Sequence, residues 1–372
     1  MTEQEIERAV EGFVARVEDI NSKYLQLMGA QIQDIGTLKA SNVNRLKEMR
    51  KAGANIDQIT RELAKASEQN IKDMETLLRK IAADDYEAAG IFYNAAGVVQ
   101  AKLADNAALQ SLIKAALEQT GSAMVNLSKT TVVSKAYKDA VDEAIIKVQT
   151  GLSDYKSAMR NTLKATAKQG TRVEYESGMT RRLDSALRQN ILDGAHQLQS
   201  NIQKEVGKQF GSDGVEISAH ANSAPDHEPY QGRQYTNKQF ARLQGSIGRP
   251  FEEWNCTHTV FRILMGVSKA AYSDKELNGM ASKNAAGVKI DGVQRTLYEC
   301  TQIQRQLETA ARYQKDVAVA AAAAGDDVLR REVQANINQI KKKYEEVSKA
   351  AGLPMKTERM TISGYRPVKA TR

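Results

Sequence analysis

The sequence predicts a mainly α-helical protein with a small central α+β module. All five prolines lie at or beyond residue 225, so the first 224 residues lack the strongest helix breaker. Apolar residues in that part recur every three or four positions, which is the helical period. Aromatic residues make up only 5% of the chain, which favours thin helical cores over stacked sheets. We therefore expect long helical hairpins or a bundle N-terminally and a helical hairpin C-terminally.

Residues 1–170 are predicted to form an elongated helical region. One apolar stripe consists of Ile6, Val10, Phe13, Val14, Val17, Ile20, Tyr24, Leu27 and Met28. A second stripe consists of Ile56, Ile59, Leu63, Met74, Leu77, Leu78 and Ile81. Residues 52–55 (Ala-Gly-Ala-Asn) are typical of a turn between the two helices.

Residues 171–270 are predicted to form the α+β module. Residues 172–210 look helical, because Met179, Leu183, Leu187 and Ile191 are spaced by four. A turn at 211–214 precedes an alternating segment, 215–218, which predicts a short strand. Residues 220–250 contain three prolines and predict loops, and 259–264 predict a second strand.

Residues 271–372 are predicted to form a helical hairpin with a short extended tail. The first helix begins near Tyr298 and continues into an alanine-rich run at 318–324. Asp326 is a candidate N-cap for the second helix, and Gly352 with Pro354 should end it. Residues 359–362 alternate like a strand.

Composition excludes several classes of protein. The formal charge of +8 permits weak, sequence-independent DNA contact without demanding it. Two cysteines cannot form a disulfide framework, and we expect Cys256 and Cys300 to be unpaired. No apolar run approaches the ~20 residues that span a bilayer, so no membrane contact is expected.

The candidate site lies in the central module. Three histidines and a cysteine fall within 39 positions of one another: His220, His227, Cys256 and His258. Imidazole and thiolate groups of this number satisfy tetrahedral zinc, and four protein ligands predict a closed structural site. The alternative is a metal-free polar cluster that ties two loops together. Asp226 is either a general base, a carboxylate that orients a ligand, or a turn cap.

Three stretches together resemble the phage minor capsid protein 2 family. The first runs from residue 216 to 232 and includes His220, Pro225-Asp226-His227 and Gln231-Gly232. The second is Trp254-Asn255-Cys256-Thr257-His258, followed by Gly266-Val267-Ser268. The third is Tyr298-Glu299-Cys300-Thr301-Gln302 with Arg305, Leu307-Glu308 and Arg312. Ala224 and Thr257 depart from the family pattern, because both stand where it commonly has arginine.

The resemblance implies a structural protein of the virion head, located near the portal, and in the host cytoplasm during assembly. Its implied partners are the portal and other head proteins, with self-association allowed, and its role is head morphogenesis or DNA packaging. Asp226, Gln231, Gly232 and Asn255 would then support the motif. No catalytic set is evident, so we expect no enzyme. The alternative is a metal-dependent hydrolase or nuclease that uses the histidine and cysteine cluster.

Overall fold

The computed structural model describes residues 1, 3–36, 44, 56–132, 135–150, 152–252 and 256–370. The chain divides into two compact units, each built from three segments. Unit 1 comprises Met1–Glu11, Asn70–Met124 and Arg188–Gln302. Unit 2 comprises Gly12–Gln69, Val125–Leu187 and Ile303–Arg372.

The described chain is mainly helical, as predicted. Its α-helices are α1 (Glu3–Gly36), α2 (Ile56–Ala88), α3 (Gly90–Ala95), α4 (Ala107–Thr130), α5 (Lys135–Gln149), α6 (Tyr155–Gln169), α7 (Leu183–Phe210), α8 (Asn237–Ser246), α9 (Asp274–Ala286), α10 (Leu297–Ala323) and α11 (Asp327–Ala351). Short 3-10 helices lie at Leu103–Asp105 and Thr357–Met360. No described helix is both long enough and apolar enough to cross a membrane.

The predicted stripes in α1 and α2 are the buried faces of these helices. Every stripe residue of α1 is buried except Leu27, which is half-buried, while its neighbour Leu25 is fully buried. In α2 the stripe is buried from Ile59 to Ile81. The turn predicted at 52–55 lies outside the described residues.

A three-stranded antiparallel sheet in unit 1 carries the candidate site. Its strands are β4 (Gly214–Ile217), β5 (Gln234–Thr236) and β6 (Val260–Ile263), in the order β5-β4-β6. β4 is buried along its whole length, as expected of a central strand. The strands predicted at 215–218 and 259–264 are therefore confirmed. The sheet packs in a core of Val215, Ile217, Phe240, Leu243, Phe251, Cys256 and Val260.

Unit 1 also contains a hairpin outside the predicted strand region, formed by β7 (Val288–Ile290) and β8 (Val293–Arg295). Its two-residue loop is Asp291-Gly292, and both residues have positive φ, 49° and 81°. That conformation is the type I′ turn that matches the strand twist and favours Asp-Gly. The prediction of a helical hairpin over residues 271–372 therefore does not hold at Val288–Ile290 and Val293–Arg295.

A second three-stranded antiparallel sheet, in unit 2, replaces part of a predicted helix. It consists of β1 (Thr131–Val132), β2 (Arg172–Glu174) and β3 (Thr180–Arg182), in that order. The helix predicted from residue 172 begins only at Leu183. Gly178, with φ of 77°, turns the chain back, and Met179 is exposed rather than part of a buried stripe. Pairing of Val173 with Thr131 and Arg181 outweighs the spacing by four.

The part of α10 within unit 2 forms an antiparallel pair with α11, as predicted. Gln304 contacts Ser348, and Glu308 accepts a hydrogen bond from Tyr344, so positions advance in opposite directions. The side chain of Asp326 accepts from the Leu329 N–H and caps α11, while Gly352 ends it in the left-handed conformation. The predicted strand at 359–362 is wrong: Thr357–Met360 is a 3-10 turn. The alternation there reflects burial of Met360 and Ile362 without a strand partner among the described residues.

Unit 2 buries a network of charged side chains. Asp316 is fully buried and pairs with Arg182, which also bonds Asp184 at 3.0 Å. Arg312 donates to the second oxygen of Asp184 at 2.7 Å. Asn21 donates to Asp316 and accepts from the Thr171 N–H at 2.8 Å. Burial by itself lowers the pKa of Arg182, but the carboxylates of Asp184 and Asp316 raise it overall. Two arginines therefore balance two aspartates.

Candidate functional site

The register of the central sheet brings both halves of the predicted cluster together. Ile217, the last residue of β4, pairs with Val260, the first of β6. The loop that carries His220 and His227 follows the last residue of β4, and the segment with Cys256 and His258 precedes the first residue of β6. In an antiparallel pair these two strand ends lie side by side, so residues 36 positions apart in the sequence become neighbours.

Three of the four predicted side chains converge. Cys256 Sγ lies 3.5 Å from His227 Nδ1 and 3.5 Å from His258 Nδ1. All three residues are buried, and their donor atoms lie within 4.8 Å of one another. This group, His227, Cys256 and His258, is called the donor triad below. It is the only such group of three or more among the described histidines, cysteines and acidic residues.

His220 lies beside the donor triad and directs its nitrogens elsewhere. Its ring stacks on His258 with centroids 4.5 Å apart. Its Nδ1 faces Asn222 Oδ1 at 3.0 Å, and its Nε2 faces Thr257 Oγ1 at 2.9 Å. Thr257 stands where the family pattern has arginine. Its hydroxyl is the hydrogen-bond partner of the second ring nitrogen of His220.

Gln231 connects the loop to the donor triad. Its Nε2 donates to the His220 carbonyl at 3.2 Å, and its Oε1 accepts from the His220 N–H at 3.0 Å. The same Oε1 lies 3.0 Å from His258 Nε2. Gln231 therefore bonds both the loop backbone and the donor triad. Gly232 follows with φ of 69°, and an added Cβ would clash with the Leu277 side chain.

Asp226 forms a two-point ion pair with Arg249, at 2.9 and 3.1 Å, rather than a hydrogen bond to histidine. Its carboxylate is 3.9 Å from His227 Nε2, beyond hydrogen-bonding distance. His227 Nε2 instead lies 2.7 Å from the Arg249 carbonyl oxygen. The hydrogen-bond partner of the Asp226 carboxylate is therefore Arg249.

Burial makes the site electrically neutral. It is the main cause that lowers the pKa of His227, His220 and His258, and the pKa of His258 falls to about 3. It also raises the pKa of the Cys256 thiol. At neutral pH the metal-free site therefore holds uncharged imidazoles and a thiol.

Sequence reasoning missed three residues that shape the site. Arg249 holds His227 through its carbonyl, Phe251 stacks on His227 at 4.1 Å between centroids, and Ser223 Oγ is 3.3 Å from His258 Nε2. Arg249 and Phe251 lie within seven positions of Cys256 in the chain, and this proximity is the signal that could have found them. Trp254 and Asn255 lie outside the described residues.

The second cysteine lies in a different environment. Cys300 is fully buried near the start of α10, and both cysteines are free thiols. This agrees with the prediction that they are unpaired. Only Cys256 is part of the donor triad, so Cys300 serves as a natural reference for it.

Comparison with known proteins gives one match. The model of the family described as phage minor capsid protein 2 matches residues 2–347. Searches of the curated proteins and of the solved structures return no match. The matched range includes both halves of the site and nearly all of the described helices. Because the match spans nearly the whole chain, the protein belongs to the phage minor capsid protein 2 family.

Proposed function

We propose that this protein is a structural component of a tailed-phage head, located near the portal, that acts with the portal and capsid in head morphogenesis or DNA packaging. The observation that carries the proposal is the family match over residues 2–347. Before assembly the protein resides in the host cytoplasm.

The chemistry of the site favours a structural role over the hydrolase or nuclease alternative. A metal hydrolase needs a base that activates water at the metal. The three described carboxylates next to the cluster in the chain, Asp226, Glu228 and Glu252, are engaged in other bonds. Glu228 accepts from Asn284 Nδ2. Asp226 pairs with Arg249, and Glu252 accepts from Ser200 Oγ at 2.5 Å and from the Val260 N–H. We therefore assign the donor triad a structural role, in which it joins two loops, and assign it no catalytic role.

The direct test uses the phage or prophage that encodes the chain. We expect mass spectrometry to detect the protein in purified heads, and antibody labelling to place it at the portal vertex. Deleting its gene should yield heads that are aberrant or lack DNA. Normal, DNA-filled heads from the deletion strain, or particles devoid of the protein, would overturn the proposal.

DNA contact is tested separately, with purified protein and labelled duplexes of two unrelated sequences. The excess of eight positive charges supports only loose attraction, so binding should be weak, equal for both duplexes and lost as salt rises. Binding that survives high salt or distinguishes the sequences would require a recognition element that we have not identified. Incubation with zinc or magnesium should leave both duplexes intact, whereas cleavage would support the nuclease alternative.

A further inference from the structure

The hydrogen bonds of the donor triad show which ring nitrogens carry a proton, beginning with His227. Its Nε2 is 2.7 Å from the carbonyl oxygen of Arg249, and a carbonyl oxygen can only accept a hydrogen bond. The ring proton of neutral His227 therefore sits on Nε2. Its Nδ1 then carries a bare lone pair, which faces Cys256 Sγ at 3.5 Å.

The tautomer of His258 follows from the backbone of another residue. Gln231 Oε1 accepts from the His220 N–H, and Gln231 Nε2 donates to the His220 carbonyl, so the amide cannot be reversed. Oε1 is thus the atom 3.0 Å from His258 Nε2, and that nitrogen must donate. The Nδ1 of His258 is also left with a bare lone pair, 3.5 Å from Cys256 Sγ.

Two imidazole lone pairs therefore face one sulfur atom that carries one proton. The thiol can donate to only one of the two Nδ1 atoms, and the other then meets sulfur with no hydrogen between them. Such a buried acceptor has lost its water without gaining a donor. A cation at the centre would satisfy both nitrogens and the sulfur at once, and the thiol proton would leave as the metal binds.

The distances fit zinc. With Zn–S of about 2.3 Å and Zn–N of about 2.0 Å, a tetrahedral ion separates its sulfur and nitrogen ligands by about 3.5 Å. Both observed separations between Cys256 Sγ and the imidazoles are 3.5 Å. A mixed set of imidazole and thiolate donors is typical of zinc rather than of magnesium or calcium. The Arg249 carbonyl and Gln231 also supply the outer hydrogen bonds that commonly orient zinc-binding histidines.

We propose that His227 Nδ1, Cys256 Sγ and His258 Nδ1 bind one Zn²⁺ ion, with His220 outside the ligand set. The ion joins the loop after β4 to the start of β6. This inference does not depend on the proposed role in the phage head, because it rests on the geometry of the three side chains.

The test measures metal content of the full chain, expressed with zinc in the medium and purified without chelator. Elemental analysis should give one zinc per chain for the parent protein. Cys256→Ala and His227→Gln should each reduce zinc at least tenfold. The matched controls, Cys300→Ala and His220→Gln, should retain it. Parent protein with far less than one zinc, or Cys256→Ala with undiminished zinc, would overturn the proposal. Zinc loss in His220→Gln would overturn the three-residue ligand set.

A spectroscopic test covers the case in which Cys256→Ala does not fold. The parent protein is stripped of metal with chelator and titrated with Co²⁺ alone. We expect visible bands of tetrahedral cobalt and a near-ultraviolet band from thiolate-to-cobalt charge transfer, both complete at one equivalent. A spectrum of octahedral cobalt, or one without the thiolate band, would overturn the proposal.

Discussion

Unit 1 buries neutral polar groups around Cys256, whereas unit 2 buries charged ones around Asp316. In unit 2 the charges around Asp316 each have an opposite charge beside them, and Arg182, Arg312, Asp184 and Asp316 balance one another. In unit 1 the buried groups have too few protons to satisfy one another. The difference shows that a buried polar cluster can be complete in itself or can be arranged for a ligand. It also implies that the two clusters respond to different perturbations.

The largest effect should come from removing a charge from unit 2. Asp316→Ala leaves Arg182 buried with one carboxylate instead of two, and breaking a buried pair typically costs about 3–5 kcal/mol. Asp327→Ala is the matched control, because its ion pair with Arg330 is exposed and should contribute under about 1 kcal/mol. Urea unfolding measures both. Equal losses for the two variants would mean that the buried network does not stabilise the fold as argued.

Lowering the pH should reduce the unfolding free energy through the histidines of unit 1, in protein from which chelator has removed metal. Burial holds the pKa values of His220, His227 and His258 below 6.5 in the folded state. Below about pH 6.5 the unfolded chain therefore binds more protons than the folded one, and stability falls as pH falls. The loss continues towards pH 3, the folded pKa of His258, and reaches roughly 2–3 kcal/mol by about pH 4.5 from that residue alone.

Two variants make the acid effect specific. His258→Gln should flatten the dependence of unfolding free energy on pH between about 6.5 and 4.5. Cys300→Ala removes a buried thiol outside the cluster, whose pKa is raised by burial and lies far above this range, and it should leave the slope as in the parent. If both variants keep the parent slope, the buried neutral histidines are not what acid titrates.

The hydrogen bonds around the donor triad should contribute less to the free energy of unfolding than the buried charge of Asp316 or the protonation of the histidines. Gln231→Leu removes three bonds, two to the His220 backbone and one to His258, and should cost roughly 1–3 kcal/mol. Gln294→Leu is the control, because Gln294 is exposed in β8 and loses only a solvent-accessible bond to the Ala286 carbonyl, so its change should stay under about 1 kcal/mol. Thermal unfolding of the two variants measures the difference in stability between them. A Gln231→Leu protein as stable as the Gln294→Leu protein would contradict the role given to Gln231.

The smallest effect should be at Asp226. Its two bonds to Arg249 are solvent-accessible, so Asp226→Ala should cost only about 0.2–1 kcal/mol. Arg160 and Asp326 form the corresponding two-point pair in unit 2, and Asp326 also caps α11. Asp326→Ala should therefore cost more, about 1–2 kcal/mol, because the cap is lost as well. A reversed order in denaturant unfolding would show that the cluster depends on Asp226 more than its exposure indicates.

Local signals predicted the elements whose stability is local. Asp326, Gly352 and the apolar spacing between them defined α11, and alternation defined β4 and β6. The hairpin at Asp291-Gly292 has an equally local signal, the Asp-Gly pair of its turn, but no strand is predicted there. Residues 172–182 were misassigned for a different reason: their sheet depends on Thr131 and Val132, some 40 positions earlier, and no local pattern contains that pairing.

The site was predictable in its residue types and not in its geometry. Histidine and cysteine indicated metal chemistry, but which three converge depends on the pairing of Ile217 with Val260 and on the backbone of His220. The charged network of unit 2 was not predicted at all. Arg182 and Asp316 are 134 positions apart, and neither lies in a motif that would single it out.

The division of the chain has a consequence for its synthesis on the ribosome. Unit 1 needs Met1–Glu11 beside a segment that ends at Gln302, and the ion pair of Glu11 with Arg188 spans 177 positions. Unit 2 needs residues from Ile303 onward to close around a segment that begins at Gly12. Neither unit can be complete until most of the chain has been translated. The face of α1 that contacts α10 therefore stays uncovered until α10 has been made, and exposed apolar surface of this kind favours aggregation of a nascent chain.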